Sequence, residues 1–140
     1  MVAETLKLLK KTVNENVLEK IFTEKELDEL ITDKSDRGLV NRILELLQDS
    51  KAEEIVLIDV RERSNLADYM FICEGRSQMH CRGIAENIMF RLKHQGEIHL
   101  GIEGELEGNW VLLDYGNFIL HVFHPEIRKY YNLEGLYAPH

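Results

Sequence analysis

Three glutamates alternate with other residues in the segment from Gly101 to Gly108. In an extended chain, Glu103, Glu105 and Glu107 would share one face, and Mg²⁺ is bound by carboxylate oxygens grouped in this way. Glycines flank and interrupt the segment, however, and a hard-metal site needs a rigid support. We therefore interpret these glutamates as solvated loop charges and predict no metal site.

Other residue types that carry chemistry are present but lack the required spacing. His121 and His124 lie three residues apart, so on a strand they point to opposite faces. Ser64 and Ser77 have no base and orienting acid near them in sequence. The turn Gly75-Arg76-Ser77 lacks the glycine-rich spacing of the common phosphate loops. The sequence predicts neither catalytic residues nor a cofactor.

The only tryptophan, Trp110, lies in a segment that is unusually free of positive charge. Between Lys93 and Arg128 there is no Lys or Arg, whereas the same segment has six carboxylates, among them Asp114. An aromatic ring beside a carboxylate suits a partner's Arg or Lys, through cation–π contact and a charge-assisted hydrogen bond. The formal net charge of −8 argues against unaided binding to nucleic acid or anionic lipid. We predict a basic protein partner.

A β-hairpin is expected to present these residues. If Gly116-Asn117 forms a two-residue type II′ loop, Tyr115 pairs with Phe118, Leu113 with Leu120 and Val111 with Val122. This face is wholly apolar and is predicted to face the core. The other face consists of Trp110, Leu112, Asp114, Ile119, His121 and Phe123. That face is either a partner-binding surface or a second core layer beneath a helix.

The rest of the chain predicts alternating helices and strands. A helix over 36–49, capped by Ser35 or Asp36, precedes a strand over 55–60 that is apolar on both faces and expected to be central. Further predicted elements are a strand over 69–73, a helix over 78–95 capped by Ser77, a strand near 97–101, the hairpin, and a short helix over 125–131. A strand, a helix and the next strand fit a right-handed crossover. We predict an α/β fold with a mixed sheet flanked by helices.

The length of 140 residues allows one hydrophobic core with an appendage. We expect residues 1–36 to be a helical N-terminal extension and residues 37–140 to be the α/β domain. Cys73 and Cys81 fit buried free thiols in a reducing compartment. The first residues lack the features of a signal or transit peptide and no later run is long enough to span a membrane, so we expect a cytoplasmic protein.

Several short motifs resemble the ribosomal silencing factors, also called the Iojap family. These are Ala67-Asp68-Tyr69, Gly75-Arg76-Ser77, the stretch 110–116 followed by His121-Val122-Phe123, and the C-terminal Tyr130-Tyr131-Asn132-Leu133-Glu134 with Leu136. The motifs occur in the expected order and the likeness covers about Leu39 to Tyr137. Residues 1–36 look like an extension beyond the family core.

The resemblance implies a mixed α/β fold related to nucleotidyltransferases, without demonstrated catalysis, in a protein that binds the large ribosomal subunit. Its partner would be large-subunit ribosomal protein number fourteen. Bound there, it would block joining of the small subunit and lower translation when nutrients are scarce, and relatives suggest a role in large-subunit biogenesis. The implied surface centres on Trp110, Leu112, Asp114 and His121, with Tyr115 to Asn117 at its rim. The family usually has an acidic residue where Asn117 stands.

Two alternatives remain open at this point. The first is a nucleotide-binding or nucleotidyltransferase-like enzyme, in which Glu103 and Glu105 would hold Mg²⁺ for ATP or CTP. The second is a homodimer formed through the apolar hairpin face, which is compatible with ribosome binding if the two compete.

Overall fold

The computed structural model describes residues 8–11, 23–61, 67–133 and 135. In chain order the elements are β1 (Leu8–Lys11), α1 (Glu24–Leu30), α2 (Lys34–Asp49), β2 (Glu53–Asp59), β3 (Tyr69–Glu74), α3 (Gln78–His94), β4 (Gly101–Glu103), β5 (Trp110–Asp114), β6 (Phe118–Phe123) and α4 (Pro125–Tyr131). Side chains of β1 are not described.

The strands form one six-stranded sheet in the order β1-β2-β3-β6-β5-β4. Among the strands of the described residues, only β3 and β6 pair in parallel, and the other neighbours are antiparallel. The predicted mixed sheet flanked by helices is therefore confirmed. Its relation to nucleotidyltransferases stays a prediction.

The predicted crossover ends on a different strand from the one expected. The strand after α3 is β4, which begins at Gly101 instead of 97 and lies at the sheet edge. The parallel neighbour of β3 is β6, whose six residues are all buried. The centre of a sheet is covered on both faces, so the longer and more apolar strand β6 occupies it. Strand β4 has only three residues, including the exposed Glu103, and it lies at the edge.

Helices begin where side chains satisfy their free N–H groups. The α2 helix is capped by Asp33 instead of the predicted Ser35 or Asp36, because Asp33 Oδ1 accepts from the backbone N–H groups of Ser35 and Asp36. In α3 the predicted cap is confirmed, with Ser77 Oγ accepting from the His80 N–H at 3.0 Å. Apart from β4, the helices and strands predicted with bounds begin and end within two residues of the observed positions.

Two hydrophobic clusters lie on opposite faces of the sheet. The main cluster is formed by α1, α2, α3 and one face of the strands, and the smaller one includes Ile127 of α4. Strand β2 contributes Ile55 and Leu57 to the first and Val56 and Ile58 to the second, so its predicted burial on both faces is confirmed. Cys73 and Cys81 are buried free thiols, as predicted.

Part of the predicted N-terminal extension belongs to the main core. Leu27, Leu30 and Ile31 are only 2–3% exposed and pack in the same cluster as α2 and α3. The extension is not wholly helical as predicted, because Leu8–Lys11 forms strand β1, which pairs with β2 at the sheet edge. The division at residues 36 and 37 stays a prediction, but residues on both sides of it share one core.

Candidate partner-binding surface

The β5–β6 hairpin has the predicted register. Val111 is opposite Val122 and Leu113 is opposite Leu120, and the Tyr115 N–H donates to the Phe118 carbonyl at 2.8 Å. Gly116 has φ +84°, as the first loop residue of a type II′ turn requires. The apolar face predicted for the core packs in the main cluster. The hairpin thus fixes which side chains remain for the opposite face.

That opposite face divides between its two strands. On β6, Ile119, His121 and Phe123 are buried, whereas on β5 Trp110, Leu112 and Asp114 are only partly buried. The two strands differ in burial because β6 lies inside the sheet, whereas β5 lies next to the edge strand. Both alternatives for this face therefore hold in part: β6 supplies a second core layer, and β5 supplies an accessible surface.

His121 is 4% exposed, which differs from the solvent-facing position expected for it. The Trp110 indole Nε1–H donates to His121 Nδ1 at 2.9 Å, so the neutral ring carries its proton on Nε2. Burial lowers the pKa of His121 to about 4, which keeps the ring neutral at physiological pH. Its Nε2 is buried and has no hydrogen-bond partner within the described part of the chain. His121 therefore supports the surface from beneath by orienting Trp110.

An aromatic cluster surrounds Trp110. Its ring centroid lies 4.8 Å from Phe123, which is buried, and 5.0 Å from Tyr131 of α4, which is 53% exposed. Tyr130 packs edge-on against Tyr131 and is 81% exposed. The surface predicted from sequence included neither tyrosine. The sequence feature that could have indicated them is an adjacent aromatic pair on a short helix that directly follows the hairpin.

Asp114 supplies the carboxylate of this surface. Its Oδ1 accepts from the Gly116 N–H at 2.8 Å, which fixes the carboxylate relative to the hairpin turn. Leu112 lies between Trp110 and Asp114 on the strand and is opposite His121 in the ladder. One face of β5 therefore presents an indole, an aliphatic side chain and an oriented carboxylate, in that order along the strand.

Comparison with known proteins identifies the family of the chain. Residues 32–140 match the family model described as "Ribosomal silencing factor during starvation". The chain belongs to the ribosomal silencing factor family. A ribosomal silencing factor from Zymomonas mobilis is 38% identical over 100 residues, which cover 71% of this chain and 75% of the relative.

Two further proteins extend the comparison. A crystal structure from Chromobacterium violaceum superposes with a TM-score of 0.71 at 30% identity, covering 74% of this chain and 88% of that one. A mouse protein named "Mitochondrial assembly of ribosomal large subunit protein 1" is 28% identical over 102 residues, covering 71% of this chain and 45% of the relative. The resemblance to the silencing factors is thus confirmed, and the family is named for silencing the ribosome and not for an enzymatic activity.

In this silencing factor the two predicted rim residues differ in exposure. Tyr115 packs against the main core on the other face, and burial raises its pKa to about 12. Asn117 is exposed at the turn, and its carbonyl accepts from the N–H groups of Asp68 and Tyr69 at 2.9 and 3.0 Å. Its side chain hydrogen-bonds Asp36 of α2. Of the predicted rim, Asn117 is the accessible member.

The remaining candidates for chemistry have structural roles or stay apart. Ser77 caps α3, and Arg76 of the same turn donates to Glu53 at 2.9 Å. Glu103 ends β4, and Glu105 and Glu107 follow in a tight turn. Across the residues that the structure describes, no three His, Cys, Asp or Glu side chains group as a metal site. Ser64 lies outside the described residues.

No helix within the described residues is long and apolar enough to cross a membrane.

Proposed function

We propose that this silencing factor is a translational repressor that binds large-subunit ribosomal protein number fourteen through the β5 surface of Trp110, Leu112 and Asp114. Asn117, exposed at the hairpin turn, would form the rim, and His121 orients Trp110 from below. The observation that carries the proposal is a half-buried indole on the same strand face as an oriented carboxylate, within a segment without Lys or Arg. The mouse relative's name supports the large subunit as the place of binding.

The chemistry of the surface favours a cationic segment of a protein. A guanidinium or ammonium group over the Trp110 ring gains about 0.5–2 kcal/mol, and the carboxylate of Asp114 adds a charge-assisted hydrogen bond. Phosphate groups of RNA would instead be repelled by the same carboxylates. The negative field mainly accelerates encounter with the basic protein, so association should slow as salt increases.

Silencing by this route needs no catalytic step. A folded domain bound to the joining face of the large subunit occupies volume that the small subunit requires, which would slow translation under nutrient limitation. The same occupancy fits a role in large-subunit biogenesis, because premature joining would be prevented. We propose a cytoplasmic location for this role.

Co-sedimentation with purified large subunits tests the proposal. Trp110→Ala and Asp114→Arg should abolish binding while leaving the fold intact by circular dichroism. Glu86→Arg is the matched control, since Glu86 is exposed on α3, which covers the opposite face of the sheet. Undiminished binding by both surface variants would exclude this surface.

The predicted homodimer cannot form through the apolar hairpin face, because that face is buried in the main core. Sedimentation of the protein alone tests for a homodimer through another surface. A dimer that dissociates as large subunits are added would indicate that the two partners compete for one face. A dimer that binds the subunit intact would show that self-association uses another part of the molecule.

A further inference from the structure

Helix α4 is held to the sheet by a buried ion pair. Arg128 is 6% exposed, and its Nη1 donates to Glu74 Oε2 at 3.0 Å and to the Glu54 carbonyl at 2.7 Å. Glu74 ends β3, and Glu54 lies in the irregular part of β2 with φ +49°. One guanidinium therefore joins α4 to two neighbouring strands.

The same helix carries the exposed tyrosines beside Trp110. Tyr131 follows Arg128 by three residues, so the two are neighbours along the helix surface. Ile127, four residues before Tyr131, packs in the smaller core cluster. The ends of α4 are also fixed, with Pro125 in the first turn and Asn132 closing the helix in the left-handed conformation. The position of Tyr131 against Trp110 thus depends on how α4 is anchored.

Both cationic side chains of α4 face carboxylates of a neighbouring cleft. The Arg128 guanidinium is paired with Glu74, and Lys129 lines a cleft of about 480 Å³ together with Glu54, Glu74 and Glu126. The aromatic cluster of Trp110, Tyr131 and Tyr130 is continuous with the β5 surface. A cationic segment that contacts Trp110 can therefore extend over both tyrosines.

We infer that α4 is the second wall of the partner-binding surface: Tyr130 and Tyr131 contact the same cationic protein segment as Trp110, and Arg128 is the residue that positions them. This inference rests on the proposed function. It assigns a binding role to α4, and it gives the buried Arg128–Glu74 pair a purpose beyond stability.

The first experiment measures affinity for large subunits by titration. Tyr131→Ala and Tyr130→Ala should each weaken binding, Tyr131→Ala by about tenfold, which is the effect of losing one favourable cation–π contact. Tyr131→Phe should regain most of the loss because the ring is retained. Glu86→Arg serves again as the control.

The second experiment tests the positioning role with the double variant Arg128→Met/Glu74→Gln. Removing both charges avoids leaving one buried carboxylate unpaired, so the fold should persist. The emission of Trp110, the only tryptophan, reports the contact with Tyr131 without any partner present. We expect the double variant to shift this emission in the same direction as Tyr131→Ala, to weaken binding by a similar factor, and to show no further loss when Tyr131→Ala is added.

The outcomes separate this inference from the proposed function. If Asp114→Arg abolishes binding while both tyrosine variants bind as well as the unmodified protein, α4 is not part of the surface and only this inference fails. If Asp114→Arg also binds normally, the surface itself is wrong and both fail. If the double variant folds with unchanged emission and affinity, Arg128 does not position the tyrosines.

Discussion

The indole Nε1–H of Trp110 donates a 2.9 Å hydrogen bond to Nδ1 of His121, joining a surface residue to a buried one. The bond exists only while Nδ1 is unprotonated. Burial of the imidazole, which lowers the pKa of His121, therefore also preserves the orientation of the indole. The orientation of Trp110 at the surface therefore depends on the protonation of the buried His121.

Acid should destabilise the protein through His121. Its pKa is about 4 when folded and 6.5 when unconstrained, so the unfolded chain binds the proton more tightly. The free energy of unfolding should then decrease as pH falls from about 6.5 to about 4, by roughly 3 kcal/mol at most, and this contribution should not change below that range.

Urea unfolding across this pH range checks the prediction against His121→Gln, which can accept from the indole but does not titrate. The raised pKa values of Asp36 and Glu74 act in the opposite sense in both proteins, so they cancel in the difference. A pH-independent difference between the two proteins would contradict the assignment.

Asn117→Asp should weaken the contact between the hairpin turn and α2. Burial, with Asp33 and Asp68 nearby, already raises the pKa of Asp36, and the Asn117 side chain lowers it again by hydrogen bonding. A carboxylate at position 117 would repel Asp36 instead, costing roughly 0.5–1 kcal/mol at neutral pH. The cost should diminish as pH falls and Asp36 becomes protonated.

Thermal unfolding at neutral pH and at mildly acidic pH measures this effect. Asn117→Ser serves as the comparison, because it shortens the side chain without adding charge. Equal stability of the Asp and Ser variants at neutral pH would rule out the proposed repulsion.

Gly104→Ala should destabilise the protein and disturb Trp110. Gly104 has φ +78°, and a Cβ atom there would lie 2.0 Å from the Trp110 carbonyl oxygen. The turn would have to open, at an expected cost of at least about 2 kcal/mol. Gly101→Ala is the matched control, because its Cβ would meet nothing within 4 Å. A Gly104→Ala protein that melts at the same temperature as Gly101→Ala would refute this prediction.

Truncations should show that α1 belongs to the domain. Removing residues 1–36 deletes Leu27, Leu30 and Ile31 from the main core, a loss of roughly 5 kcal/mol, which is comparable to the whole stability of many domains. Removing residues 1–22 leaves these side chains and the Thr23 cap of α1 in place. We expect only the shorter truncation to remain folded by circular dichroism. Cooperative unfolding of the longer truncation near the native melting temperature would contradict this expectation.

Local patterns allowed much of this structure to be predicted from sequence. The hairpin register follows from Gly116-Asn117 and the alternation of apolar residues, and the start of α3 follows from Ser77. These features depend on neighbours in the chain, so short-range sequence contains them.

The errors concern contacts between distant segments. Pairing of β3 with β6 depends on which strand best fills the sheet centre, and the burial of His121 depends on the packing around β6. The proximity of Tyr131 to Trp110 requires the anchoring of α4 by Arg128. No residue spacing encodes these outcomes, because each is decided by competition among parts of the chain that meet only after folding.

The parallel pairing of β3 with β6 also orders events during synthesis. Strand β6 can pair with β3 only after α3, β4 and β5 have been made, since all three lie between the paired strands in the chain. Until Phe118–Phe123 leaves the ribosome, β3 has an open edge whose side chains are almost all destined for burial. Pairing between strands that are distant in sequence slows folding, and until it occurs the edge of β3 can pair with other chains. Strand β6 also carries His121, which orients Trp110 of the binding surface. A newly made molecule therefore acquires its recognition site only as the open edge of β3 is covered.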